Sequence, residues 1–263
     1  MNHSVQKAID ILKAIAASGE LSIADLSKGL GLAKSTVFDI VHTLSDNGLI
    51  ESPVNDPHKY QLGPALCKIG FSYLKKHQLT EIAWPHLKAL HDAEEQTTIY
   101  MAVRDKLEMV YVMKLAAKAE IQPTMDVGGY SSIMSTGLGK AALAAMTDEQ
   151  ILQLLPAEVF TQSNTSDVRD YASLFFFLNQ ARKRGYVLDA ASDKGAELWC
   201  VAVPILDAHG SYVASISLVS LRETFTDERQ MQLGRKLAHA ALQISEVLGY
   251  TGKSVLEARE RPA

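Results

Sequence analysis

The chain has 263 residues, enough for one large domain or two smaller ones around a sizeable core. With 47% hydrophobic residues, 21% charged residues and a net charge of −4, it reads as an ordinary soluble protein; its longest apolar runs, such as Trp199 to Leu206, are too short to cross a bilayer. Two distant cysteines, Cys67 and Cys200, and a start without a basic stretch followed by an apolar block argue against a disulfide framework and a secretory signal, and point to the cytoplasm.

The first sixty residues are short elements with tight punctuation. Val5, Ile9, Leu12 and Ile15 mark a first amphipathic helix that closes at Ser18 to Glu20. Ser22, with Asp25 three residues on, opens a second helix that ends at Gly29 or Gly31. After a very short turn, a third helix over 34–46 puts Val37, Ile40, Val41 and Leu44 on one face and Ser35, Asp39, His42 and Asp46 on the other, and Asn47-Gly48 stops it. "LIESP", "VNDPHK" and "YQLG" then read as strand, turn and strand. Three short helices and a hairpin make a winged helix-turn-helix, in which the polar face of the third helix enters the major groove of DNA and the wing reaches the flanking backbone.

Charge agrees only weakly. Residues 1–78 carry eight Lys against seven acidic residues, a net +1, and no Arg; the remainder carries 18 basic and 23 acidic residues, a net −5. The asymmetry permits nucleic-acid binding by the N-terminal part without demanding it.

Pro64 suits the first turn of a connecting helix that places Leu66, Ile69 and Tyr73 on one side, and another helix follows over about Glu81 to Glu94. "TTIYMAV" and "LEMVYVMKL", joined by "RDK", predict a hairpin, and "AEIQPTMDV" a third strand. "STGLGKAALAAM" and "DEQILQLL" read as helices, the second capped by Thr147 with Gln150. Residues 167–184 form another helix, "ELWCVAVPIL" and "YVASISLVSL" a second hairpin around "DAHG", and Thr226 opens a long final helix ending near Gly249. Hairpins flanked by helices argue an α+β domain on an antiparallel sheet.

"SVQKAIDIL", "LSIADLSKGLGLAKSTVFDIVHTLSDNGLIE", "KYQLG", "GLGKAALA", "ARKRGYVLD", "WCVAVPILD" and the terminal "LGY" occur in an order and spacing that resemble the IclR family of bacterial transcription regulators, nearly end to end. The resemblance implies a winged helix-turn-helix over 1–62, a linker helix over 63–79, a GAF or profilin-like effector-binding domain over 80–252 and a tail over 253–263. It also implies a dimer or tetramer on operator DNA, controlled by a small organic acid, on a catabolic operon, with no cofactor, metal or membrane partner.

Lys34, Ser35, Thr36, Phe38, Asp39 and His42 on the third helix, with His58, Lys59 and Tyr60 on the wing, are the expected DNA-binding residues. With no Arg available for guanine, Asp39 is expected to accept from a cytosine amino group, or else only to tune the helix charge. In the second domain the resemblance assigns Met134, Gly137, Leu138, Asp189, Cys200 and Ser217 to effector binding. The turn before "GLGKAALA" is where related proteins aim backbone N–H groups at a carboxylate, which fits the affinity of helix N-termini for anions. The family commonly has His where Met134 stands, Pro where Ser132 stands and acidic residues where Ala191 and Ser192 stand. Met134, Trp199 and Val219, with Tyr130 extending the trend, predict a pocket for a carboxylate with an apolar or aromatic body.

Other chemistries find little support. A P-loop needs Gly at Met134 and Ser or Thr at Ala141. His86 and His91 are five apart rather than four, and no Cys-x-x-Cys or Gly-x-Ser-x-Gly is present. An enzyme using Cys200 or a carboxylate would need an activating base, and no nearby sequence supplies one. A winged helix that binds protein instead of DNA has only the low basic charge behind it.

Overall fold

The computed structural model describes residues 2–120, 122–162, 168–193 and 196–256, and divides into two compact units, Met1–Leu79 and Thr80–Ala263.

In the first unit α1 (His3–Ser18) is capped by Asn2, whose side chain accepts from the N–H groups of Ser4 and Val5. Its buried residues are Ile11 and Ile15, with Ala8 and Leu12 packed beside them; Val5 and Ile9, expected inside, are exposed. The stripe thus faces about one residue round from where the sequence places it. A two-residue strand β1 (Leu21–Ser22), not anticipated, leads into α2 (Ile23–Leu30). Ser22 and Asp25 form the reciprocal capping box, and the Ser22 hydrogen bonds hold the Asp25 carboxyl below its ordinary pKa. Gly31 closes α2 in the left-handed region at φ 64°, leaving a three-residue turn before α3 (Lys34–Asp46). Val37, Val41 and Leu44 bury against Ile11, Ile15, Leu26 and Ile50, which is the helix-turn-helix core. The strands β2 (Ile50–Glu51) and β3 (Lys59–Leu62) complete the wing, and β3 lies between β1 and β2 in a three-stranded sheet. The helix α4 (Pro64–His77) ends the unit with Ile69, Phe71 and Tyr73 more than half exposed.

The second unit follows from α5 (Leu79–Ala93). It is built on the strands β4 (Thr98–Asp105), β5 (Glu108–Leu115) and β6 (Tyr130–Ser132), and the helices α6 (Gly137–Ala144), α7 (Asp148–Leu154), α8 (Val159–Gln162) and α9 (Tyr171–Arg184). The strands β7 (Val187–Asp193), β8 (Ala196–Leu206) and β9 (Tyr212–Leu221) then lead to the long α10 (Asp227–Val247). The six strands form one antiparallel sheet in the order β6-β5-β4-β9-β8-β7. Both expected hairpins are present, and they meet at the centre, where Tyr100 pairs with Ser217 and Thr98 with Val219. The fold class is the expected α+β.

Several expectations need correction. Residues 119–127 make no strand where described; the chain runs as a loop tied down by Tyr100 Oη donating to the Met125 carbonyl at 2.9 Å. The strand that pairs with β5 is the short Tyr130–Ser132, three residues beyond. Arg104 and Asp105 belong to β4, so the turn is Lys106-Leu107, with Lys106 at φ 53°. The helix expected from 167 starts at Tyr171, because Asp170 and Ser173 form a capping box; residue 167 lies outside the described part. The strand β7, not anticipated, forms at the sheet edge by pairing with β8, with Val187 and Asp189 buried and Leu188 and Ala190 on the more exposed side. The Thr147–Gln150 capping box of α7 and the Thr226 cap of α10 form as read. No helix among the described residues is long and apolar enough to cross a membrane.

Candidate DNA interface and ligand cavity

On α3 the residues Lys34, Ser35, Phe38, Asp39 and His42 are exposed and Thr36 half-buried, on the side away from Val37, Val41 and Leu44. The Phe38 and His42 rings are 4.3 Å apart, one turn from each other, so an aromatic ridge runs along the polar face. The Ala33 N-cap gives no side-chain hydrogen bond, which leaves the first N–H groups of α3 open to a phosphate. Asp39 has no cation partner among the described residues, neither Lys34 nor His42. On the wing, His58 is exposed, while Lys59 Nζ sits 3.7 Å from both Glu20 and Asp56. Exposed pairs of this kind contribute little, about 0–1 kcal/mol, so a phosphate can replace them. Tyr60 is half-buried against the helix-turn-helix core and pairs with Leu21, which makes it a wall of that core more than a phosphate contact.

In the second unit a cavity of about 340 Å³ opens at the N-terminus of α6. Gly137, Leu138, Cys200 and Ser217 line it together, as expected. Thr136 caps α6 through the Gly139 N–H at 3.2 Å, the Gly137 N–H donates to the Cys200 sulfur, and the Leu138 amide keeps no acceptor among the described residues. Gly137 is required here by space: a Cβ on it would lie 2.6 Å from Cys200 Sγ. The walls are Tyr100 and Tyr111, packed edge to face at 5.2 Å, with Met125, Leu198 and Val219.

Two expected pocket residues do not line this cavity. Met134 is 1% exposed and belongs to the core under α6. Asp189 turns instead to Lys140, with 2.6 Å between Oδ1 and Nζ, in an ion pair buried beneath the helix start. The Lys140 ammonium also lies 5.2 Å over the Phe177 ring. Trp199 and Tyr130 are likewise elsewhere: Trp199 packs near Phe225, and Tyr130 is 62% exposed. The apolar, aromatic character they were expected to supply comes from Tyr100 and Tyr111. Alternation on the first hairpin, which turns Tyr100 and Ala102 to one sheet face with Tyr111 opposite Ala102, is the signal that could have found them. The side chains of Ala191 and Ser192 lie outside the described part.

Cys200 is 6% exposed, and burial first, then the nearby Asp189 carboxylate, push its thiol up to about 12. It is therefore protonated near neutral pH and serves as a small apolar wall, not as a nucleophile.

The family model described as "Bacterial transcriptional regulator IclR C-terminal" matches residues 71–246, and the one described as "IclR helix-turn-helix domain" matches residues 4–53. The chain belongs to the IclR family. It is 29% identical to the HTH-type transcriptional regulator XynR of Escherichia coli K12, over 94% of this chain and 97% of that one. It is 27% identical to KdgR of the same organism, over 94% and 93%. The crystal structure of the Thermotoga maritima IclR superposes with a TM-score of 0.70 at 25% identity, covering 95% of this chain and all of that one. The protein is thus an IclR-type DNA-binding transcription regulator and not an enzyme: its helix-turn-helix domain binds DNA, and its C-terminal domain is of the effector-binding kind.

Proposed function

We propose that this IclR-family protein is a ligand-responsive regulator that binds a pseudo-palindromic operator as a dimer or tetramer. Its effector is a small carboxylate with an apolar or aromatic body. The observation that carries this reading is the cavity itself: the start of α6 at one end, where the Leu138 amide keeps no acceptor among the described residues and the Gly137 amide reaches only the Cys200 sulfur, with Ser217 in the lining and two tyrosines, Leu198 and Val219 around the rest. The amides suit an oxyanion and the walls suit a ring or an alkyl body. Control of a catabolic operon rests on the family resemblance alone.

Effector and operator affinities must then be coupled reciprocally. A thermal-shift screen of aliphatic and aromatic acids tests the reading, because a ligand selective for the folded state raises the Tm. An acid that raises it must also change operator affinity, and operator binding must fall steeply with salt, as phosphate contacts require. If no acid does both, the reading fails.

The apolar side of α4 supports self-association. Ile69 and Tyr73, four apart and so on one side of the helix, are exposed in the single chain at 63% and 51%, large apolar side chains that a partner helix would ordinarily cover. Ile69→Asp should lower the sedimentation coefficient to that of a monomer and weaken operator binding in parallel, since a dimer must set two recognition helices roughly 34 Å, or a multiple, apart. Parent-like sedimentation would remove α4 from the interface.

Asp39 is proposed to read base edges. It is exposed between Ser35 and His42, and a carboxylate left unpaired there repels phosphates unless it accepts from a cytosine amino group in the groove. Asp39→Ala, assayed against an operator library, should relax preference at one base pair per half-site by about 1–3 kcal/mol. Affinity raised evenly for every sequence would make Asp39 a repulsive charge only.

A further inference from the structure

The second unit holds another cavity, larger than the first, at the opposite end of α6. It measures about 580 Å³ and opens among the residues after the helix C-terminus, the β8–β9 turn and the end of β4. Arg104, Thr147, Gln150, Gln153, His209 and Ser211 supply its polar lining. Among the described residues no carboxylate lines it, so its charge is set by the Arg104 guanidinium.

We propose that this cavity is a second ligand site, for a polar metabolite bearing a phosphate or carboxylate group, and that α6 couples it to the effector cavity. The proposal goes beyond the functional reading above and does not require that reading to hold.

Three observations carry it. First, Arg104 is half-buried, its Nη1 donating to the Lys106 carbonyl at 3.0 Å, and its Nε is buried with no hydrogen-bond partner among the described residues. A buried donor without an acceptor is rare in folded proteins, and a small swing of the guanidinium toward an incoming oxyanion would satisfy it. Second, the neighbours are hydrogen-bonding groups with spare capacity. Gln150 uses its side-chain oxygen on the Thr147 N–H, which leaves its amide N–H groups to donate, and Gln153 and Ser211 stand beside it. Such a lining suits hydroxyl groups better than a ring. Third, the two cavities share their scaffold. Tyr100 and Arg104 lie four apart on β4, hence on one face of the sheet, one in each cavity. Gly137 begins α6 in the first cavity, and Ala145 and Met146 leave it in the second. Every residue of α6 is buried, so the helix cannot shift at one end without moving the other. Arg182 fixes that exit by donating to the carbonyls of Ala144 at 3.0 Å and Met146 at 2.7 Å, so that the helix end presents little free negative charge to an anion.

The test is isothermal titration of the full-length protein with glucose 6-phosphate, citrate and pyrophosphate, against sodium chloride of equal ionic strength. At least one probe should bind saturably to the parent. Its Kd should weaken at least tenfold in Arg104→Gln and in Gln153→Leu. Two variants on different elements guard against a folding defect in one, and each should keep the parent's circular dichroism and operator affinity. Bound probe should also change operator affinity, which reads the coupling. No saturable binding of any probe, or parent-like binding in both variants, would overturn the site. Saturable binding without an effect on the operator would overturn the coupling.

Discussion

Gly137→Val should abolish the response to effector while leaving operator binding by the unliganded protein close to that of the parent. The substitution sets a Cβ 2.6 Å from Cys200 Sγ, closer than atoms tolerate, and its two methyl groups project beyond. Overpacking of this kind typically costs about 1–3 kcal/mol, which an extended core can absorb. What the site cannot absorb is the loss of the approach to the Gly137 and Leu138 amides, since the methyls occupy the space where an oxyanion would sit. Operator binding belongs to the other unit and does not need that approach. The measurement is operator affinity by fluorescence anisotropy with and without the acid that raises the Tm, together with calorimetric titration of that acid. Gly137→Ala with Cys200→Ala supplies the rescue: without Sγ the nearest contacts are Asp189 Cβ at 3.4 Å and Ala202 Cβ at 3.5 Å, both ordinary, so ligand binding should return. An unchanged response in Gly137→Val would put the effector somewhere else.

The sequence made the first unit easier to read than the second, for a physical reason. In the helix-turn-helix nearly every boundary is set by a local device. The Ser22–Asp25 box starts α2, a left-handed glycine at Gly31 ends it, and Asn47-Gly48 ends α3. Where a boundary depends on tertiary pairing, reading failed: β1 has two residues and exists only because β3 lies beside it. The second unit shows the same division. The Thr147 and Thr226 caps could be read, whereas β6 and β7, which owe their structure to β5 and β8, could not. The site divides likewise. Gly137 and Leu138 sit at a helix start visible in the chain, but Tyr100 and Tyr111 reach the cavity only through strand register. Asp189 matched a family pocket position, yet here its partner is Lys140, 49 residues away in sequence, and no local pattern reports that.

That pair makes the last strong prediction. Lys140 is 2% exposed and Asp189 8%, so both charges have left water and meet at 2.6 Å, with the Phe177 ring as a further partner for the ammonium. Removing one partner of a buried pair leaves the other charge uncompensated, which typically costs about 3–5 kcal/mol, whereas replacing both with apolar groups of similar volume is often neutral. Lys140→Met should therefore lower the stability of the second unit by about 3–5 kcal/mol in urea unfolding. Lys140→Met with Asp189→Leu should recover most of it, and the double-mutant cycle reads the coupling directly. A loss below about 1 kcal/mol for the single variant would mean that the pair is exchanged for water in solution. The variants also separate stability from function. In Lys140→Met the Asp189 carboxylate would stand just behind the helix start without its ammonium, because Asp189 Cβ lies 3.4 Å from the Cβ position of Gly137, and its charge would oppose a bound carboxylate. The double variant removes that charge, so acid affinity should fall in the single variant and return in the double. Equal loss in both would show that the Lys140 ammonium itself attracts the ligand, and the buried pair would then belong to the binding site and not only to its foundation.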